Sequence, residues 1–296
     1  MQVDVLCIGH ASYDLVFVVP YHPGPDEKCV ANNFVSCGGG PAANAAVAVA
    51  RLGLESAFVG YLGKDLHGKA HEAELLEEKV NIDFVSRGNS PTPVSAVLVK
   101  PDGKRALVNY RGGTQPLHAN ALDLSSVTAN AVLFDGHEPH VSVQWLDFFK
   151  QRGSVTVLDA GSMHEGTKAL MFKVDYLVCS RKFACQYLGE DNPHKALESL
   201  AKYSPAVVIT LGEEGLIWRR GGETGQLPSF PVKAVDTTGA GDTFHGVFAA
   251  CIAEGRDWEE TLRVSSAAAA LCCTRLGARP GIPYQETIEA FLESRL

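Results

Sequence analysis

No Cys-x-x-Cys pair occurs among the eight cysteines of this 296-residue chain, and its ten histidines form no cluster with zinc-ligand spacing. A structural zinc module is therefore not expected. The cysteines sit among mostly apolar neighbours, the setting of reduced core thiols, which suits a cytoplasmic location. Positive charge is also scarce: 26 Lys and Arg against 34 Asp and Glu give a formal net charge of -8. A nucleic-acid partner, which needs a basic footprint, is not expected. A phosphorylated ligand stays open, because a few local donors outweigh a weak global field. No apolar run approaches the roughly 20 residues that cross a bilayer, so no membrane partner is expected either. The opening MQVDVLCIGH lacks the basic n-region and longer apolar stretch of a secretory signal.

The common nucleotide fingerprints are missing too. There is no G-x-x-x-x-G-K-[ST], no HRD or DFG set, and "GAGDTFHG" has the wrong spacing and context for G-x-G-x-x-G. Internal repeats, low-complexity tracts and linkers are likewise absent, which points to one domain over 1–296.

What is present reads as α/β, with a mostly parallel central sheet flanked by helices. "VDVLCIG" (3–9) is an apolar run ending in Gly, "AANAAVAVARLG" (42–53) has helical periodicity, and "SAFVGYLG" (56–63) returns as a strand. The rhythm recurs through 131–136, 141–151, 155–161, 175–180, 192–203 and 206–212. Segments from about 12–37 and 94–110 break it, the second as two strand-like runs joined by Pro-Asp-Gly. They predict a small antiparallel β lid. "FPVKAV" (230–235) reads as a further strand, and 257–277 as a long helix capped by Gly277.

The informative stretch is "VDTTGAGDTFHG" (235–246). Gly239 and Gly241 permit a sharp turn and leave free N–H groups at a helix N-terminus, where an anion is favoured. Asp242 beside a bound anion is electrostatically awkward unless it accepts the proton of a hydroxyl attacking a phosphoryl group. The plain alternative is an N-terminal helix acid, stabilising by roughly 0.3–1 kcal/mol.

With "GGGPAANAAVAVARLG" (38–53), "VGYLGKDLHG" (59–68) and "DTTGAGDTFHG" (236–246) in this order, the chain resembles the ribokinase-like (PfkB) carbohydrate kinases over nearly its whole length. The resemblance implies ATP and Mg2+ as cofactors and Asp242 as catalytic base. The N–H groups of Gly239, Ala240 and Gly241 would form the anion hole. Asp14, Gly39, Gly40 and Asn44 would line the sugar site. Thr210, Gly212 and Gly215, with Ala268 and Cys272, would lie around the nucleotide. Asp236, Thr238, Arg275 and Gly277 fall where a potassium ion is held, and Thr238 also borders the nucleotide. A homodimer through the lid strands is a habit of the family. One departure stands out: the family's N-x-x-E motif is replaced by Cys179-Ser180-Arg181-Lys182-Phe183, leaving magnesium to ATP phosphates and water.

The detail of the motifs looks closest to ketohexose-type members, so a fructose-type acceptor is expected. The alternatives are a sulfofructose kinase, a ribose or nucleoside kinase, a hydrolase using Asp242 on water, and a non-catalytic sugar or nucleotide sensor. Lys28 and Asn109 match two sulfonate-gripping positions, while His137 stands where the third would be an arginine. Lys28 and Asn109 also suit a solvated surface, and His10 and His137 suit local hydrogen bonding at strand ends.

Overall fold

Apolar residues alternate faces along the first strand, β1 (Gln2–Ile8). Val5 and Cys7 enter one buried cluster, Leu6 and Ile8 the other. A strand buried on both sides needs helices on both faces of its sheet, and the computed structural model, which describes residues 1–295, supplies them. After β1 come β2 (Ser12–Val18), β3 (Asn33–Gly39), α1 (Pro41–Arg51), β4 (Ser56–Gly63), α2 (Leu66–Glu77), β5 (Asn81–Gly88), β6 (Val94–Val99) and β7 (Arg105–Tyr110). The middle holds β8 (Thr128–Phe134), α3 (Pro139–Gln151), β9 (Val155–Ala160), α4 (Glu165–Leu170), β10 (Tyr176–Ser180), α5 (Arg181–Leu188), α6 (Pro193–Leu200), β11 (Ala206–Thr210), β12 (Leu216–Arg220) and β13 (Glu223–Leu227). The chain closes with α7 (Ala240–Ala253), α8 (Trp258–Cys272), α9 (Ala278–Gly281) and α10 (Gln285–Glu293).

The large sheet has the order β13-β12-β11-β10-β9-β8-β1-β4-β5. It is parallel except where β12 pairs with β11 and β13. Helices α1, α7 and α8 bury Ala46, Phe248 and Ala267 against one face, and α3, α5 and α6 bury Phe149, Phe183 and Leu200 against the other. Strand order reverses at β1, which pairs with both β4 and β8. The crevice beyond the carboxyl ends of β1 and β8 is where such sheets bind ligands.

The second sheet, β3-β2-β6-β7, comes from the segments expected to form a lid. Its outer pairs are antiparallel and its central pair, β2 with β6, is parallel. Val16, Val97 and Val99 pack beneath it against Leu276.

Two expectations fail. Residues 230–235 form no strand: Pro228 and Pro231 lack donors, and Val235 and Asp236 both turn their amides to the Cys273 carbonyl. Gly277 does not cap the long helix, which ends at Cys272; it has φ 86° and starts the short α9 instead. The cysteines are all free, but only Cys7, Cys37, Cys179, Cys251 and Cys272 are buried; Cys29, Cys185 and Cys273 are half-exposed. Among the described residues, no helix is long and apolar enough to cross a membrane.

Candidate active site

The start of α7 is built by glycine. Gly239 has φ 80°, and a Cβ there would lie 2.6 Å from the Ala278 Cβ, so no other residue fits without strain. No side chain caps this helix, whereas Asp65, Ser180, Asn192 and Asp257 cap α2, α5, α6 and α8. A Cβ on Gly241 would meet nothing within 4 Å. The first turn of α7 therefore has backbone N–H groups with no side-chain partner, the Ala240 amide making only a 3.4 Å bond to the Thr237 carbonyl, at the positive end of the helix dipole.

Asp242 follows in that turn and is half-buried. Its Oδ2 accepts from Asn44 Nδ2 at 2.8 Å. Burial holds its carboxyl above the usual range, opposed by the Asn44 bond and by Arg105. Asn44 is itself fixed, because its Oδ1 accepts from Arg279 Nη2 at 3.4 Å. Arg279 is buried and pairs with Glu74 at 3.3 Å. On the far side, His245 ties α7 to the sheet, with Nδ1 2.6 Å from the Gly241 carbonyl and Nε2 3.2 Å from that of Val178. Its Nδ1 also lies 3.3 Å from Asp159 Oδ2. Burial, then the charges of Asp242 and Asp135, push Asp159 well above the carboxylate range. A carboxylate among other carboxylates and little water binds a proton more tightly.

Asp14, Gly39 and Gly40 gather beside Asn44. Asp14 is buried, accepts from Ser12 Oγ at 2.9 Å, and is pushed up to about 6 by burial. A Cβ on Gly39 would strike Asp14 Oδ2 at 2.2 Å. Gly40, at φ 94°, passes so close to the His10 carbonyl that a Cβ would come within 2.5 Å of it. Pro41 then starts α1 with its fixed φ, and the Ala42 amide finds its acceptor in Asp135 Oδ2 at 3.1 Å. His137 is half-buried at the edge of this group, while Lys28 and Asn109 are exposed.

Elsewhere in the large sheet, Thr210 ends β11, and Gly212 and Gly215 bracket a single exposed turn. Ala268 and Cys272 are wholly buried on α8. The Cys272 thiol donates to the Thr238 carbonyl at 3.6 Å, which ties α8 to the loop. Asp236 knits two loops: Oδ1 accepts from Thr238 N and Oγ1 at 2.9 and 2.6 Å, and Oδ2 from Gly277 N at 2.9 Å. Arg275 is exposed. Among the described residues, no group of three or more His, Cys, Asp or Glu comes together to hold a metal ion. A cation here would have to draw on Asp236 and main-chain carbonyls. At the N-x-x-E position, Ser180 caps α5 through the Phe183 amide, and Arg181 pairs with Asp191 and Glu214.

Sequence reasoning missed Arg279, Arg105, Asp159 and His245. Arg105 lies on β7 and reaches Thr237 Oγ1 at 3.4 Å. The one available signal was the charged residue inside "GARPG".

Comparison with known proteins matches the chain over nearly its whole length. The family described as pfkB family carbohydrate kinase matches residues 2–285. The ribokinase of Bacillus subtilis (strain 168) is 31% identical over 294 residues, covering 98% of this chain and 99% of that protein. The crystal structure of the Thermotoga maritima ribokinase superposes with a TM-score of 0.86 at 28% identity, over 98% of this chain and 99% of that one. The Arabidopsis thaliana ribokinase complexed with ribose and ATP gives a TM-score of 0.84 at 29% identity, over 99% of both chains.

Proposed function

The chain belongs to the pfkB family of carbohydrate kinases, and from that premise we propose that it moves the γ-phosphoryl group of ATP to a primary hydroxyl of a ribose-like sugar. The observation that carries the reading is Asp242, a desolvated carboxylate held by Asn44 at the foot of an uncapped, glycine-built helix start. The ribokinase relatives favour a ribose-type acceptor over the fructose-type one expected from sequence detail.

In this reading the N–H groups of Gly239, Ala240 and Gly241 hold the transferring phosphoryl group at the dipole end of α7. Asn44 occupies Asp242 Oδ2, which leaves Oδ1 to take the hydroxyl proton. The sugar oxygen bonds to phosphorus as the bridging oxygen departs with ADP. Asp14 and the Gly39–Gly40 backbone orient the sugar. Thr210, Gly212 and Gly215 border the nucleotide. Magnesium, when bound, would be held mostly by the ATP phosphates and water and would neutralise their charge, since the chain offers no N-x-x-E acid at the matching position. A potassium ion, if bound, would be held by Asp236 and carbonyls of Thr238, Arg275 and Gly277. The lid sheet exposes Phe34, Val108 and Tyr110, the kind of edge surface through which a homodimer would form.

The test is ADP release with ATP, Mg2+ and a panel of D-ribose, D-fructose and adenosine. Sugar-dependent release, strongest with D-ribose among these neutral acceptors, is expected. ATP loss without any sugar would point to a hydrolase, and sugar binding without release to a sensor.

A further inference from the structure

The first glycine of the run at 38–40 is demanded by neither Asp14 nor His10. A Cβ on Gly38 would lie 2.2 Å from Arg279 Nη1 and 2.7 Å from its Cζ, so this glycine makes room for a guanidinium. Arg279 lies on α9 and is 3% exposed. Its carboxylate partner is Glu74 on α2, at 3.3 Å, and Glu74 in turn accepts from the Gly38 amide at 2.8 Å.

Stability does not account for this arginine. A buried cation costs folding free energy, and exchanging a buried ion pair for groups without charge is often neutral or stabilising. The pairing here is also incomplete, because Arg279 Nε is buried with no partner.

The rest of the guanidinium faces Asn44. Nη2 lies 3.4 Å from Asn44 Oδ1 and 3.5 Å from His71 Nε2. His71 Nε2 also faces the Gly39 carbonyl at 3.0 Å, a bond that puts the ring proton on Nε2. Burial first, then Arg279, push His71 down to about 3, so its ring carries no charge at neutral pH. Asn44 Oδ1 is therefore the acceptor for Nη2.

An asparagine amide fills the same volume either way round, with an acceptor at one end and a donor at the other. A guanidinium only donates, so it keeps the carbonyl end on its own side. That leaves Nδ2 for Asp242 Oδ2, at 2.8 Å. The reverse orientation would set an N–H against the guanidinium and a carbonyl oxygen against the carboxylate, two repulsions in place of two bonds.

We propose that Arg279 is a positioning residue for phosphoryl transfer: it decides which end of the Asn44 amide meets Asp242, and Glu74 holds it in place from α2. This rests on the sugar-kinase reading above and adds a residue that reading leaves out. The order is Glu74, Arg279, Asn44, Asp242, with a cation polarising an amide toward a carboxylate.

Loss of the guanidinium lets the amide turn and withdraws a bond from the ionised carboxylate. The Asp242 carboxyl, which burial already holds above the usual range, then rises further. The other titratable or charged groups bearing on it are Asp14 on β2, Arg105 on β7, Asp135 past β8, Asp159 on β9 and Cys272 on α8. Arg279 also favours the charged form of Asp14. Without it Asp14 is neutral over more of the pH range, which lowers Asp242. An upward shift therefore belongs to the Asn44 route.

The experiment uses Arg279→Met together with Glu74→Gln, which strands no charge and keeps an acceptor for the Gly38 amide. Urea unfolding is expected to show stability no lower than wild type. With ATP, Mg2+ and whichever acceptor releases ADP fastest, kcat per folded protein is expected to fall about threefold to tenfold at pH 7. The acid limb of kcat moves to higher pH while ATP affinity is unchanged. Arg279→Lys, which keeps a donor for Asn44, returns the limb toward its wild-type position. In an Asn44→Ala background the same double substitution changes kcat and the limb no further. A 13C titration of the Asp242 carboxyl, identified by its loss in Asp242→Asn, reads the shift without turnover.

An acid limb and a carboxyl titration at the wild-type pH overturn the proposal, as does an equal loss of kcat with and without Asn44. A double variant that unfolds, or loses stability with kcat per folded protein unchanged, gives Arg279 a structural role and overturns it too. If the wild-type protein still releases ADP in these cases, the kinase reading stands. If the carboxyl titration moves upward as stated but no acceptor releases ADP, the Arg279–Asn44–Asp242 arrangement holds and the kinase reading fails.

Discussion

Asn44 Nδ2 donates to Asp242 Oδ2 across 2.8 Å, joining the first turn of α1 to the first turn of α7 over 198 residues of sequence. The bond sets both the direction and the basicity of the carboxylate, because it stabilises the charged form that burial disfavours.

Asn44→Ala removes that stabilisation and frees the carboxylate to rotate. The folded pKa of Asp242 then rises further, so the acid limb of kcat against pH moves to higher pH. We expect kcat to fall by about tenfold to a hundredfold at pH 7. A pH–rate profile of the variant checks both, and an acid limb at unchanged pH would remove the bond from the account.

Asp14 separates stability from function. Its folded carboxyl is raised to about 6 by burial, above the roughly 3.9 of an unfolded chain. Ionisation therefore costs stability as pH rises through about 6, and costs nothing below the unfolded value. Asp14→Asn is expected to stabilise the free protein by about 1–3 kcal/mol at pH 8. The gain shrinks toward zero near pH 4, while sugar affinity falls at every pH. Urea unfolding at the two pH values, with calorimetry of the sugar, measures this trade.

The two glycines of the turn give opposite signatures. Gly239→Ala meets a positive φ and the Ala278 side chain, and should cost about 1–3 kcal/mol of stability. Gly241→Ala meets open space, so its unfolding midpoint stays put. On the proposed reading the new methyl enters the room for the phosphoryl group, and ATP affinity should drop. Thermal unfolding and nucleotide titration of both variants distinguish the roles.

Much of this was legible in sequence where one short segment carries both the backbone demand and the chemistry. "DTTGAGD" specifies turn, helix start and carboxylate together. "GGGPAAN" does so at α1, because glycine is demanded by close approach to Asp14 and His10. Illegible were elements at the two ends of the large sheet. The outer strand β5 and the hairpin β12–β13 carry polar residues at one side and show no continuous apolar run. The supposed strand at 230–235 had the right apolar spacing but no partner, Pro231 having removed a donor and Val235 turning its amide to the Cys273 carbonyl. Arg279 showed only as a charge in an apolar motif, for another reason: it meets Asn44, Glu74 and His71, which the fold brings from over 200 residues away.

The central claim is that Asp242 takes the acceptor proton while the glycine turn holds the phosphoryl group. It is tested most directly by single-turnover phosphoryl transfer to D-ribose, or to whichever acceptor releases ADP fastest, in Asp242→Asn, with ATP affinity measured alongside. The account predicts a rate loss on the order of 10²–10⁴ with ATP still bound. A variant that transfers phosphate at close to the wild-type rate would contradict it.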